Sequence, residues 1–123
     1  MPTVMIVDDA LFMRVMISNM FEQWGFTVIG QADNGEKAVK LYRELQPDIV
    51  TMDVTMPGMS GLEAVKQIIS EFMEANIIMI TALGHQRNII DAIESGAKDF
   101  ITKPFEVEKL KKIVYNILAI EEY

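Results

Sequence analysis

Five polar side chains in this sequence stand where short apolar runs end. Asp8 and Asp9 follow Val4-Met5-Ile6-Val7, Asp53 follows Ile49-Val50-Thr51-Met52, Thr81 follows Ile77-Ile78-Met79-Ile80, and Lys103 lies just past Phe100-Ile101. Brought to one place, three carboxylates, a hydroxyl and an ammonium make a site for phosphoryl chemistry. Clustered carboxylates repel one another and persist when a cation holds them. Oxygen ligands without His or Cys favour a hard ion, and an open site with few carboxylates plus water suits Mg²⁺ better than Ca²⁺. A Mg²⁺, a lysine and a hydroxyl around one carboxylate would neutralise the charge of a transferred phosphoryl group. The central carboxylate, Asp53, would then be the nucleophile and form an acyl phosphate. Taken singly, each residue has an ordinary reading: Asp8-Asp9 as helix caps, Asp53 as a turn residue, Thr81 as a loop hydroxyl, Lys103-Pro104 as a helix approach. Their recurrence at successive strand ends is what argues for a site.

The elements that must position them alternate. Val4 to Val7 reads as a first strand, and Ala10 to Gly25 as a helix stopped by that glycine. Phe26 to Ala32 is a second, more polar strand, expected at an edge. Asp33-Asn34-Gly35 opens a helix with Ala38, Leu41, Tyr42 and Leu45 on one face, stopped by Pro47. Ile49 to Met52 is a third strand. After a loop with Pro57, Gly58 and Gly61, a helix places Leu62, Val65, Ile68, Ile69 and Phe72 at helical spacing. Ile77 to Ile80 is a fourth strand. A weaker helix follows from Gly84 to Ser95, with Ile89, Ile90 and Ile93, and closes at Gly96. Phe100-Ile101 marks a short fifth strand, and the last helix buries Leu110, Ile113, Val114, Ile117 and Leu118.

Five strand–helix units with continuous apolar strands predict an α/β fold, a doubly wound five-stranded parallel sheet with helices on both faces. The flavodoxin-like order 2-1-3-4-5 is a property of that class and is not read from these residues. In that order Asp53 is central, and Lys103 stands two strands away, roughly 10 Å at ~4.8 Å per strand. A lysine side chain bridges much of that gap, so its ammonium could reach the Asp53 carboxylate.

The 123 residues suit one domain, 1–123. With 50% hydrophobic and 24% charged residues the chain is not disordered, collagenous or a coiled coil. Its 18 acids against 11 bases give a net charge of −7, which repels a phosphate backbone and argues against nucleic acid. No cysteine means no disulfide and no thiolate metal site. No apolar run approaches the ~20 residues of a membrane span, and no basic segment precedes an apolar one at the N-terminus. A soluble, monomeric, cytoplasmic domain is expected. Dinucleotide and P-loop glycine motifs are missing. His85 reads as a solvated loop residue, and Lys109, Lys111 and Lys112 as the wet face of the last helix. In the first helix Met13, Met16, Ile17, Met20 and Phe21 form the expected core set. Leu11, Phe12, Val15 and Trp24 exceed it, with core favoured over contact surface.

Asp8-Asp9 after the first strand, Asp53-x-x-Met56-Pro57-x-x-x-Gly61 after the third, Thr81-Ala82 after the fourth and Lys103-Pro104-Phe105 after the fifth together resemble a response-regulator receiver domain. The resemblance spans essentially the whole chain and is nearest to the stand-alone receivers of chemotaxis. It implies that Asp53 is the phosphoacceptor and that Asp9, Asp53 and the Thr55 carbonyl hold Mg²⁺, with Asp8 acting through a water. It implies that Thr81 and Lys103 hold the phosphoryl oxygens, aided by Ala82 through its amide and by Val54, and that the Lys103–Pro104 bond is cis. Thr81 and Phe100 would be the switch pair: the new anion draws Thr81 inward and Phe100 turns into the freed space. Tyrosine is the familiar residue at Phe100, so a hydroxyl is lost there. Thr55 and Leu83 occupy positions that tune dephosphorylation in the family.

The implied function is a phosphorylation-dependent signalling switch, not an enzyme, although it carries self-phosphorylation and self-dephosphorylation chemistry. The implied phosphodonor is a CheA-type histidine kinase. The output partner would be a flagellar or archaellar motor switch protein or adaptor, bound through the 84–95 helix, the fifth strand and the last helix. A chemotaxis phosphatase is a further implied partner, and no DNA-binding output domain is expected after Tyr123. A single-domain phosphorelay carrier is the nearest alternative. An aspartyl-phosphate hydrolase lacks a cap domain and a second acid near Asp53; a flavin carrier would meet an acidic first loop.

Overall fold

A computed structural model gives the fold and describes residues 2–54, 56, 58–82, 90–91 and 93–121. Its elements run β1 (Thr3–Val7), α1 (Leu11–Gln23), β2 (Thr27–Ala32), α2 (Gly35–Leu45), β3 (Ile49–Asp53), α3 (Gly61–Glu71), β4 (Ile77–Ala82), β5 (Asp99–Lys103) and α4 (Val107–Leu118). The expected helix over 84–95 lies largely outside the described residues; within it, residues 90, 91, 93 and 94 have helical backbone.

The five strands form one sheet in the order β2-β1-β3-β4-β5, and every pair is parallel. The expected order is therefore observed. β3 is buried along its whole length and β1 nearly so, because both faces are covered; β2 and β5 are the edges and are only partly buried. Successive side chains point to opposite faces. Val4, Ile6, Ile49, Ile78 and Ile80 join Ile17 and Phe21 of α1 and Leu110 and Val114 of α4 on one face. Met5, Val7, Val50, Met52 and Met79 join Ala38 and Val39 of α2 and Val65 and Ile68 of α3 on the other. Full burial of each large aliphatic or aromatic side chain contributes about 1.5–3 kcal/mol, so the sheet is fixed from both sides.

Helix ends follow their local chemistry. Asn34 and Ser60 cap α2 and α3, accepting from the amides of Lys37 and Glu63. α2 ends at Gln46 in the left-handed region, with Pro47 behind it. α1 departs from the sequence reading. Ile17 and Phe21 are fully buried, but Met13, Met16 and Met20 are only partly so, and Ser18 is buried in their place. Leu11, Phe12 and Val15 are exposed at 64%, 75% and 47%, so they are surface, not core. The helix is apolar nearly all round, so periodicity gives no face to choose. Trp24 packs edge-on against Phe21 at 5.0 Å and is half-buried. In α4, Lys109 and Lys112 are exposed as expected, whereas Lys111 is half-buried with its ammonium 5.4 Å above the Tyr115 ring. Among the described residues no helix is long and apolar enough to cross a membrane.

Candidate functional site

β1 and β3 are neighbours, so the residues that end them meet. Asp8, Asp9 and Asp53 each offer a carboxylate oxygen, and the three oxygens lie within 4.8 Å of one another. Asp8 and Asp53 are buried, at 1% and 6% exposure, while Asp9 is exposed. From β5, the Lys103 ammonium stands 3.2 Å from Asp8 Oδ2 and 3.6 Å from Asp53 Oδ1. It spans the intervening strand as its length allows. The Lys103–Pro104 peptide bond is cis. Thr81, at the end of β4 and 1% exposed, donates its hydroxyl to the Ala82 carbonyl at 3.2 Å.

The backbone fixes this cluster. The Asp8 amide donates to the Ala32 carbonyl of β2, and Asp8 Oδ1 accepts from the Ala10 amide at 2.9 Å. The Val54 amide donates to the Ile80 carbonyl, and the Val54 carbonyl accepts from Gly61 at 3.0 Å. The Val54 amide is thus engaged between strands, and a contact from it to a phosphoryl group would require that bond to be given up. Gly61 opens α3 directly against the Asp53 backbone: a Cβ there would fall on the Asp53 carbonyl oxygen. Gly61 is therefore required for close approach, not only for a turn. Phe100 is half-buried on the α2/α3 face of the sheet, opposite Met79 in register.

Of the residues singled out in the sequence, Asp8, Asp9, Asp53 and Lys103 come together, and Thr81 and Ala82 end the strand beside Asp53. Thr55, Leu83 and His85 lie outside the described residues. Sequence reasoning passed over Arg14, whose guanidinium donates to the Asp8 carbonyl at 2.7 Å. It is the only basic residue of α1, and that isolation on an apolar helix was the available signal.

A parallel five-stranded sheet with an acidic trio and a lysine at its carboxyl edge defines a class of signalling domain, and the chain belongs to the response regulator receiver domain family, which matches residues 4–115. Similar proteins include the chemotaxis protein CheY of Listeria monocytogenes, 52% identical over 106 residues, covering 86% of this chain and 89% of that one. CheY of Thermotoga maritima is 51% identical over 114 residues, covering 89% of this chain and 95% of that one. Among solved structures, the Borrelia burgdorferi CheX–CheY–BeF3–Mg complex contains a chain that superposes with a TM-score of 0.90 at 37% identity, covering 94% of this chain and 88% of that one. The chain is a CheY-like receiver domain.

Proposed function

We propose that this chain is a chemotaxis response regulator. It takes a phosphoryl group from a CheA-type histidine kinase onto Asp53 and thereby changes the surface offered to a motor switch protein or adaptor. One observation carries the reading: Asp8, Asp9, Asp53 and Lys103 meet at the carboxyl edge of the sheet. The relatives named for chemotaxis support the pathway, and the CheX–CheY complex supports an accessory partner for domains of this kind.

The donor set fits Mg²⁺. It is all oxygen, open on the side of exposed Asp9, and compact enough for ligand bonds of about 2.1 Å after small adjustment. Asp9, Asp53 and the Thr55 carbonyl would hold the ion, with Asp8 acting through a water. Bound there, Mg²⁺ supplies charge neutralisation at the phosphoryl oxygens. The chain's own groups do the rest. An Asp53 carboxylate oxygen attacks phosphorus, and the bond from phosphorus to the donor's nitrogen or oxygen breaks with its electron pair staying on the donor. Lys103, already beside Asp53, pairs with the transferred oxygens. The Thr81 hydroxyl exchanges the Ala82 carbonyl for the same group, joined by the Ala82 amide, and the Phe100 ring takes the space Thr81 leaves. Without a hydroxyl, that ring signals by shape alone. The output surface comprises β5, α4 and the 84–95 segment.

The test is incubation with acetyl phosphate and Mg²⁺. Hydroxylamine-labile phosphate on Asp53 is expected, and label that survives Asp53→Asn overturns the reading. Continuous turnover of small phosphate esters would instead mark a hydrolase.

A further inference from the structure

We propose that Arg14 is a positioning residue for the metal-binding carboxylates, an inference that rests on the Mg²⁺ reading above. The β1–α1 turn lacks the usual helix-start chemistry. The N-cap is Ala10, which has no capping side chain, and no acid stands in the first turn of α1. Three bonds hold the turn instead: the Asp8 amide to the Ala32 carbonyl, the Ala10 amide to Asp8 Oδ1, and Arg14 Nη1 to the Asp8 carbonyl at 2.7 Å. The third is the shortest and the only one made by a charged donor.

What that bond controls is Asp9. Asp8 is fixed through its own carboxylate by Ala10 and Lys103. Asp9 is exposed, and among the described residues no side-chain hydrogen bond or ion pair holds it. Its carboxylate therefore points where the 8–9 peptide unit points it, and Arg14 grips the oxygen of that unit. Arg14 itself is fixed by α1, whose first turn closes through the Arg14 amide to the Ala10 carbonyl at 3.1 Å. The chain of constraint runs from helix to guanidinium, to peptide plane, to metal ligand.

Charge alone predicts the opposite outcome to positioning, and this makes the inference sharp. A guanidinium near three carboxylates opposes the approach of a cation, so deleting its charge should tighten Mg²⁺ binding. Loss of a group that orients a ligand weakens metal affinity by about 10–100-fold. Calorimetric Mg²⁺ titration of wild type, Arg14→Met and Arg14→Lys, with melting temperatures for each, separates the two. Positioning predicts roughly tenfold weaker Mg²⁺ binding in Arg14→Met, the low end of that range. It predicts a loss also in Arg14→Lys, whose shorter side chain keeps the charge but does not place a donor where Nη1 stands, and no correlation of either loss with melting temperature. Unchanged or tighter binding in Arg14→Met overturns the inference. So does a loss that only tracks global stability. A wild-type protein that binds no Mg²⁺ would instead refute the metal reading on which the inference stands.

Discussion

The Lys103 ammonium stands closer to Asp8 than to the proposed phosphoacceptor, at 3.2 Å against 3.6 Å for Asp53, although Asp8 lies 95 residues away in sequence. In the unphosphorylated protein this lysine is therefore first a counter-ion for a buried acid. Lys103→Met should remove that partner and leave Asp8 desolvated among like charges. Stability should fall by roughly 1–3 kcal/mol, the cost of leaving a buried acceptor unsatisfied. Because the lysine is 27% exposed and water can reach it, the lower half of that range is expected. Urea denaturation checks the value, and addition of Mg²⁺ should restore much of the loss.

The acidic trio should cost stability when no cation is present. Asp9→Asn removes one of three mutually repelling carboxylates and should raise metal-free stability by up to ~1 kcal/mol, a modest gain because Asp9 is exposed. The same change should abolish stabilisation by Mg²⁺. At ten times its dissociation constant the ion stabilises the native state by ~1.4 kcal/mol through linkage, equivalent to about 5 °C in melting temperature for a domain of this size. Thermal melts with and without Mg²⁺ on both proteins give all four values. A wild type that does not respond to Mg²⁺ would show that the three acids are not a metal site.

The strands were legible because β1, β3 and β4 are covered on both faces, and burial on both faces writes a continuous apolar run; their order came from the fold class and not from these residues. The site was legible because Asp8, Asp53 and Thr81 directly end those runs, with Asp9 next to Asp8 and Lys103 just past the short fifth run. α1 was not legible in the same way. Ile17 and Phe21 are buried as the sequence suggests, but Leu11, Phe12 and Val15 look like core by composition, and only packing shows that they stay at the surface while Ser18 is buried. Arg14 escaped for a related reason: its partner is a main-chain carbonyl, and no pattern of residue types reports which carbonyl a guanidinium will reach.

Two glycines that follow β3, Gly58 in the loop and Gly61 at the start of α3, should respond differently to the same substitution. Gly61 has a helical neighbour on one side and the Asp53 carbonyl on the other, so the Cβ of Gly61→Ala must displace main chain that no rotamer change can move. A loss of at least ~2 kcal/mol is expected from this overpacking, together with slower phosphorylation by acetyl phosphate as Asp53 shifts. Gly58 has a φ of +73° but open space around it. Gly58→Ala therefore meets only the backbone penalty, about 1 kcal/mol, and should leave phosphorylation rates near wild type. Similar losses in both variants would show that the Gly61–Asp53 contact is not what the glycine serves.

The ends of α2 and α3 are tied by a two-pronged pair, Arg43 Nε and Nη2 to Glu71 Oε1 and Oε2, each at 2.7 Å. Those hydrogen bonds outweigh an opposing desolvation and, with a still smaller direct effect of the arginine charge, hold the Glu71 carboxyl below its ordinary range. A depressed folded-state value contributes stability above the unfolded-state value, near 4.3 for glutamate, and that contribution disappears as pH falls through the folded-state value. Glu71→Gln should therefore be less stable than wild type at pH 7, and the two should converge as the medium is acidified below about pH 4. Because both side chains are substantially exposed, the difference should also shrink in 1 M salt. Denaturation midpoints across pH 3–7 at low and high salt test this directly. A gap that persists unchanged in acid would assign the pair's effect to packing rather than to charge.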